Sequence, residues 1–157
     1  MHRGVLRVLS IEVTHRGFAF VVLEGSERLI DWGARDIEGD TSDFLSALGG
    51  VIDRYRPDVL VLEEPAHSRK RQEARSWLAW SEQLAFDRGL RSVPLPPLAR
   101  SKDEVAEEMA RLFPELEPHL PKPRKRWNGE ARGIAKFVAL ERALRAIAYL
   151  EREERAI

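Results

Sequence analysis

The 157-residue sequence contains no cysteine, which excludes disulfide bridges, zinc–thiolate centres and thiol nucleophiles. It has no excess of one charge either: 26 Lys and Arg balance 26 Asp and Glu. That balance excludes a uniformly basic nucleic-acid coat and a polyacidic disordered tail. Long hydrophobic runs are missing as well. No stretch approaches the roughly 20 apolar residues that span a bilayer. The opening MHRGVLRVLSIEV is broken by Arg7 and Glu12 and has no small-residue cleavage site. These absences predict a soluble, intracellular, cytoplasmic protein, and the length suits one domain over residues 1–157.

What is present reads as alternating strands and helices. Residues 5–13 are β-branched and aliphatic enough for a strand, 17–24 make a second, and 27–33 a shorter third. Gly25-Ser26 between the last two predicts a hairpin. A helix follows at about 42–55, capped by Thr41 or Ser42, with Phe44, Leu45, Leu48 and Ile52 on one face. Arg56-Pro57 ends it. DVLVLEEP is then a strand-length apolar run closed by two acids, suited to burial on both faces. Residues 69–88 predict a long helix stopped at Gly89, and 91–95 a short strand that Pro94 assigns to an edge. Ser101, with Glu104 three residues on, caps a helix to about 113, and a last helix runs over roughly 130–152. Three antiparallel strands followed by a helical crossover set the fourth strand parallel to, and beside, the first.

Carboxylates sit at the ends that this order brings together. Alternation groups Glu12 with Val8 and Ser10 on one strand face. Of Glu63 and Glu64 only one can share the face of Glu12, and Glu63 follows Val59 and Val61. Ligands of α/β sheets gather beyond such strand ends. On the last helix Glu141 falls within the stripe Ile134, Phe137, Val138, Leu144, Ile147 and Ala148, where a carboxylate needs a partner, a proton or a metal. Arg142 or Arg145 could be that partner, and Glu130 in the first turn is the weaker candidate acid. Three converging carboxylates from Glu12, Glu63 and Glu141 would hold Mg²⁺ or Mn²⁺, which prefer oxygen ligands and support phosphodiester hydrolysis.

The zero net charge is a sum of unequal parts. Residues 65–100 hold seven Lys/Arg against three Asp/Glu, and 121–136 hold six against one, whereas 24–64 hold four against eleven. Arg69, Lys70, Arg71 and Arg75 follow the acidic strand end, and Lys122, Arg124, Lys125 and Arg126 precede the last helix. Two basic segments beside one acidic mouth suit a phosphate backbone, so a nucleic acid is the expected partner. Trp77 and Trp80 fit a core or a dimer interface better than a stacking platform. His67 fits a mouth or a plain turn, and His15 the substrate or only solvent.

These segments resemble the RuvC-type Holliday-junction resolvases of the ribonuclease H-like superfamily. RVLSIEVTHRGFAFVVLE is similar to their opening strand pair, and DVLVLEEPAH to the fourth strand, whose catalytic Glu corresponds to Glu63. SVPLPPLARSKDEVAEEMARLF resembles their fifth strand, loop and helix, and WNGEARGIAKFVALERALRAIAY the terminal helix that carries the last acids. The resemblance covers nearly the whole chain. It implies a ribonuclease H-like α/β fold: a mixed five-stranded sheet, three antiparallel strands then parallel ones, flanked by helices. It also implies a metal-dependent endodeoxyribonuclease acting on branched DNA such as Holliday junctions. Glu12, Glu63 and Glu141 would be its catalytic residues and its ligands for Mg²⁺ or Mn²⁺, and a homodimer would match the two symmetric cuts of a four-way junction.

The chain departs from that family's pattern in places. Glu12 replaces the first Asp, shifting its carboxylate by roughly one bond length of about 1.5 Å, and Val13-Thr14 stands for a glycine turn. One register of the last helix puts Val138 at an acidic position, and another puts Glu141 there. A catalytically silent binding module on the same fold is the alternative these departures imply. An actin- or sugar-kinase-like nucleotide site, which would share the core topology, lacks its glycine-rich phosphate turn, since Val13-Thr14-His15-Arg16 offers no glycine before Gly17.

Overall fold

The computed structural model describes residues 4–122 and 133–156, and these form five strands and four α-helices in the order βββαβαβαα. The strands are β1 Arg7–Val13, β2 Gly17–Glu24, β3 Arg28–Asp36, β4 Val59–Glu63 and β5 Arg91–Leu95. The helices are α1 Thr41–Tyr55, α2 Gln72–Asp87, α3 Lys102–Leu112 and α4 Ala135–Arg155. The sheet order is β3-β2-β1-β4-β5; β1, β2 and β3 are antiparallel, while β4 runs parallel to β1 and β5 parallel to β4. This is the mixed sheet expected from the sequence. Pro94 lies in the edge strand, where its missing N–H costs no ladder bond.

Alternation divides the sheet into two apolar layers. Leu9, Ile11, Val13, Phe18, Phe20, Leu60 and Leu62 pack with α1 and α2. Val8, Val21, Leu23, Val59, Val61 and Val93 pack with α3 and α4. β4 is buried along its whole length, which is why its sequence is apolar at every position before Glu63. α4 lies deepest of the helices: Ala135, Ala139, Ala143 and Ala146 are all buried, and small side chains at this spacing let a helix approach a sheet closely.

Local details differ from the sequence reading in instructive ways. Asp40, rather than Thr41 or Ser42, caps α1, its carboxylate accepting from the Asp43 N–H while Asp43 reciprocates on the Asp40 N–H. β3 continues to Asp36, three residues beyond the predicted end, because Phe18 and Gly17 still offer ladder partners to Arg35 and Asp36. α2 starts at Gln72, so Arg69, Lys70 and Arg71 belong to a loop instead of a helix. A short 3₁₀ helix, Pro114–His119, follows α3. On α4 the predicted stripe is buried at Ile134, Phe137, Val138, Glu141 and Ile147, but burial also extends beyond it to Ala139, Arg142 and Ala143, while Ala148 is exposed.

Candidate functional site

The parallel register pairs Ser10 with Val61, and two further residues along it bring Glu12 of β1 beside Glu63 of β4. Both acids face α4, and both are buried. Between them stands Arg142 of α4, a fully buried arginine and the largest such side chain in the molecule's described part. Its Nη1 donates to the Ile11 carbonyl at 2.9 Å and lies 2.9 Å from Glu12 Oε1, an ion pair without the alignment of a hydrogen bond. Nη2 lies 3.7 Å from Glu63 Oε1. Lys70, from the loop before α2, reaches over and donates to Glu12 Oε2 at 2.8 Å. The Ser68 hydroxyl donates to Glu63 Oε2.

Charge decides the protonation of Glu12. Burial alone would push its carboxyl up, but the positive charges of Arg142 and Lys70 outweigh burial and hold it below its usual range. Glu12 is therefore an ionised partner in a cluster and not a proton carrier near neutrality. A buried guanidinium is expensive to desolvate, and two carboxylates are what make its position tolerable.

The three acids expected as a metal site are not brought to one point. Glu12 and Glu63 meet, whereas Glu141 turns away and pairs with Arg145 one helical turn on, at 2.9 Å. Val138 and Arg142 are the α4 residues that line the mouth. Glu64 faces outward at the start of a 3₁₀ turn, Pro65–His67, with its Oε1 2.5 Å from His67 Nδ1. Glu130 lies outside the described residues. Mg²⁺ or Mn²⁺ requires a cage of oxygen ligands. Here a guanidinium fills the space between the two carboxylates and an ammonium covers one of them. Among the described residues no three Asp, Glu or His side chains form a cation site. The residues present do not fit a divalent ion.

The basic residues divide as well. Arg69 and Lys70 line a cavity of about 230 Å³ with Glu12, Glu63, Lys102 and Arg142. Lys70 and Arg71 line a neighbouring hollow of about 320 Å³ with His15 and Trp77. Arg75 is exposed on the first turn of α2 and Lys122 is exposed after the 3₁₀ helix, while Arg124, Lys125 and Arg126 lie outside the described residues. Trp77 is core, stacked on Phe44 with ring centres 4.5 Å apart, whereas Trp80 is exposed. Arg71 holds the N-cap position of α2 without any side-chain cap bond, so this helix start is built from basic residues and not from capping residues.

Two site residues escaped the sequence reading. Lys102 is a cation in the first turn of α3, where acids are the favourable choice, and that misfit was a readable signal. In the sequence Arg142 reads only as a partner for Glu141. The signal for its burial was the alanine row beside it.

No protein-family model and no curated protein matches the chain. Solved structures do match. RuvC of T. thermophilus, in complex with a Holliday junction substrate, superposes with a TM-score of 0.66 at 18% identity, over 93% of this chain and 96% of that one. The fowlpox virus resolvase, in complex with substrate Holliday junction DNA, superposes with a TM-score of 0.61 at 12% identity, over 92% and 99%. The fold of this chain is therefore the ribonuclease H-like fold found in RuvC and in the fowlpox virus resolvase.

Proposed function

We propose that this chain binds branched DNA, such as a four-way Holliday junction, and holds it without cutting it. The observation that carries this reading is Arg142, whose guanidinium stands between Glu12 and Glu63. A guanidinium stays charged at every physiological pH, and it cannot carry an activated water as a bound metal ion does. Support for DNA as the partner comes from the fold and from the basic loop Arg69, Lys70 and Arg71, followed by Arg75. Lys122, Arg124, Lys125 and Arg126 form the second basic segment of the same reading. Such residues neutralise phosphates without reading base sequence. A homodimer across α2, which exposes Trp80 and Phe86, would offer two mouths to a junction of two-fold symmetry. No helix among the described residues is long and apolar enough to cross a membrane, and a cytoplasmic location belongs to this proposal.

A second reading is favoured by Glu12 and Glu63 standing together at adjacent strand ends: a Mg²⁺- or Mn²⁺-dependent endodeoxyribonuclease. It requires Arg142 and Lys70 to leave both carboxylates. The two readings separate in one experiment, a junction-binding and cleavage assay in EDTA, Mg²⁺ and Mn²⁺ beside a Glu63→Gln control. The expected result is binding in EDTA that weakens with salt, and no strand cleavage with either metal. Metal-dependent cleavage that Glu63→Gln abolishes would overturn the proposal.

A further inference from the structure

A groove of about 500 Å³ lies at the end of the sheet opposite the mouth, where β1 and β4 begin. Its floor is apolar, lined by Val5, Leu6, Val59, Ile147 and Leu150. Val5 is 63% exposed. A lone exposed valine needs no explanation, but one at the lip of an apolar recess leaves a contiguous apolar surface in water. The rim is acidic. Glu151, Glu153 and Glu154 of α4 line it against Arg91 of β5, whose guanidinium lies 2.9 Å from Glu153. Glu151 and Glu154 are exposed and have no ion pair among the described residues. Their position is the unfavourable one for an acid, because the carbonyls that end a helix are already negative. Both belong to one stripe of the helix: Leu150, Glu151 and Glu154 follow Ile147 by three, four and seven residues. Arg152 and Arg155, the cations of the same turn, do not line the groove.

We infer that this groove docks a basic amphipathic helix of a partner protein, with leucine-like side chains on the apolar floor and lysine or arginine against Glu151 and Glu154. Charge and shape together choose that occupant. An apolar recess flanked by charge takes a segment that presents apolar anchors along one helical face and cations beside them. The two unpaired acids and the negative end of α4 attract cations and repel phosphate, so neither a nucleic-acid backbone nor an anionic lipid surface fits. Leu6 in the groove and Glu12 at the mouth lie about 20 Å apart at the rise of an extended strand. A partner seated in the groove therefore leaves the mouth open, and its docking is independent of what the mouth binds.

The test uses the full chain and a labelled synthetic helix of leucine and lysine, its leucines on one face, followed by fluorescence anisotropy at about 0.1 M salt. Two counterparts accompany it, a leucine–glutamate helix and a serine–lysine helix. The leucine–lysine helix is expected to bind, and the counterparts are not. Glu151→Lys combined with Glu154→Lys should weaken that binding by about tenfold or more, because it sets like charges against the peptide. Val5→Asn should weaken it by about threefold through lost apolar contact. Glu107→Lys combined with Glu115→Lys, the same charge change at exposed positions outside the groove, should leave it unchanged. Equal affinity of the wild type and the Glu151 and Glu154 double variant overturns the docking site. So does equal binding of the serine–lysine helix, which would make the attraction one of charge alone, and so does failure of the wild type to bind the leucine–lysine helix. Self-association in sedimentation that Val5→Asn removes would seat a second copy in the groove and overturn the partner helix as well.

Discussion

The two faces of the sheet are made from the same strands, yet they follow different rules. On the face covered by α1 and α2, the buried strand residues Leu9, Ile11, Val13, Phe18, Phe20, Val22, Leu60 and Leu62 are all apolar, and Phe18, Phe44 and Trp77 interlock at ring distances of 5.6 and 4.5 Å. On the face covered by α3 and α4, apolar packing gives way toward the strand ends to Ser10, Glu12, Glu63 and Arg142, all buried. One face is a conventional core. The other carries a buried ionic cluster whose electrostatic attraction must offset the desolvation of three charges. The comparison teaches where function resides, because a buried cluster of this kind adds little net stability to a fold that could be packed with hydrocarbon.

Removing one member from each face should sharpen the contrast. Phe44→Ala is expected to cost about 3–5 kcal/mol, the usual loss for a deleted core aromatic, measured as a fall in the urea midpoint. Its cost should be the same from mildly acidic to neutral pH. Arg142→Met is expected to cost about 3–5 kcal/mol near neutrality, because it leaves Glu12 and Glu63 buried without their shared counter-charge. The pH dependence separates the two variants. In the wild type Glu12 is held below its ordinary value of 4.5, so its contribution is complete above that pH and is lost as pH falls through the lowered folded value. Without Arg142, burial pushes the Glu12 carboxyl upward, so the penalty is greatest at neutral pH and shrinks on acidification. An Arg142→Met deficit that stays flat with pH would break the comparison. The smallest effect is expected for Lys70→Met, about 1 kcal/mol, because its partly exposed ammonium is only the second cation on Glu12 and Arg142 remains.

Local pattern made much of this architecture readable. Period-two alternation in β1 and β4 assigned Glu12 and Glu63 to one face, and the all-apolar run of β4 announced a strand buried on both sides. The partner of Glu141 was also written locally, since Arg145 follows it by four residues. Arg142 was not readable in the same way. Arginine is rarely fully buried, and periodicity alone places a charged residue on the solvent side. What inverts that expectation is the depth of α4, which buries nearly its whole circumference between Ala135 and Ile147.

The sequence by itself determined the order of the elements, the sheet topology that follows from it, and the meeting of Glu12 with Glu63, because these depend on alternation, turn chemistry and chain connectivity. Only the tertiary structure decided what stands between those two acids. The rotation of α4 about its axis sets whether Glu141 or Arg142 faces the mouth, and the two are one residue, about 100° of helix, apart. That rotation is fixed by how the alanine row packs on β1 and β2, a contact between segments more than a hundred residues apart in the chain.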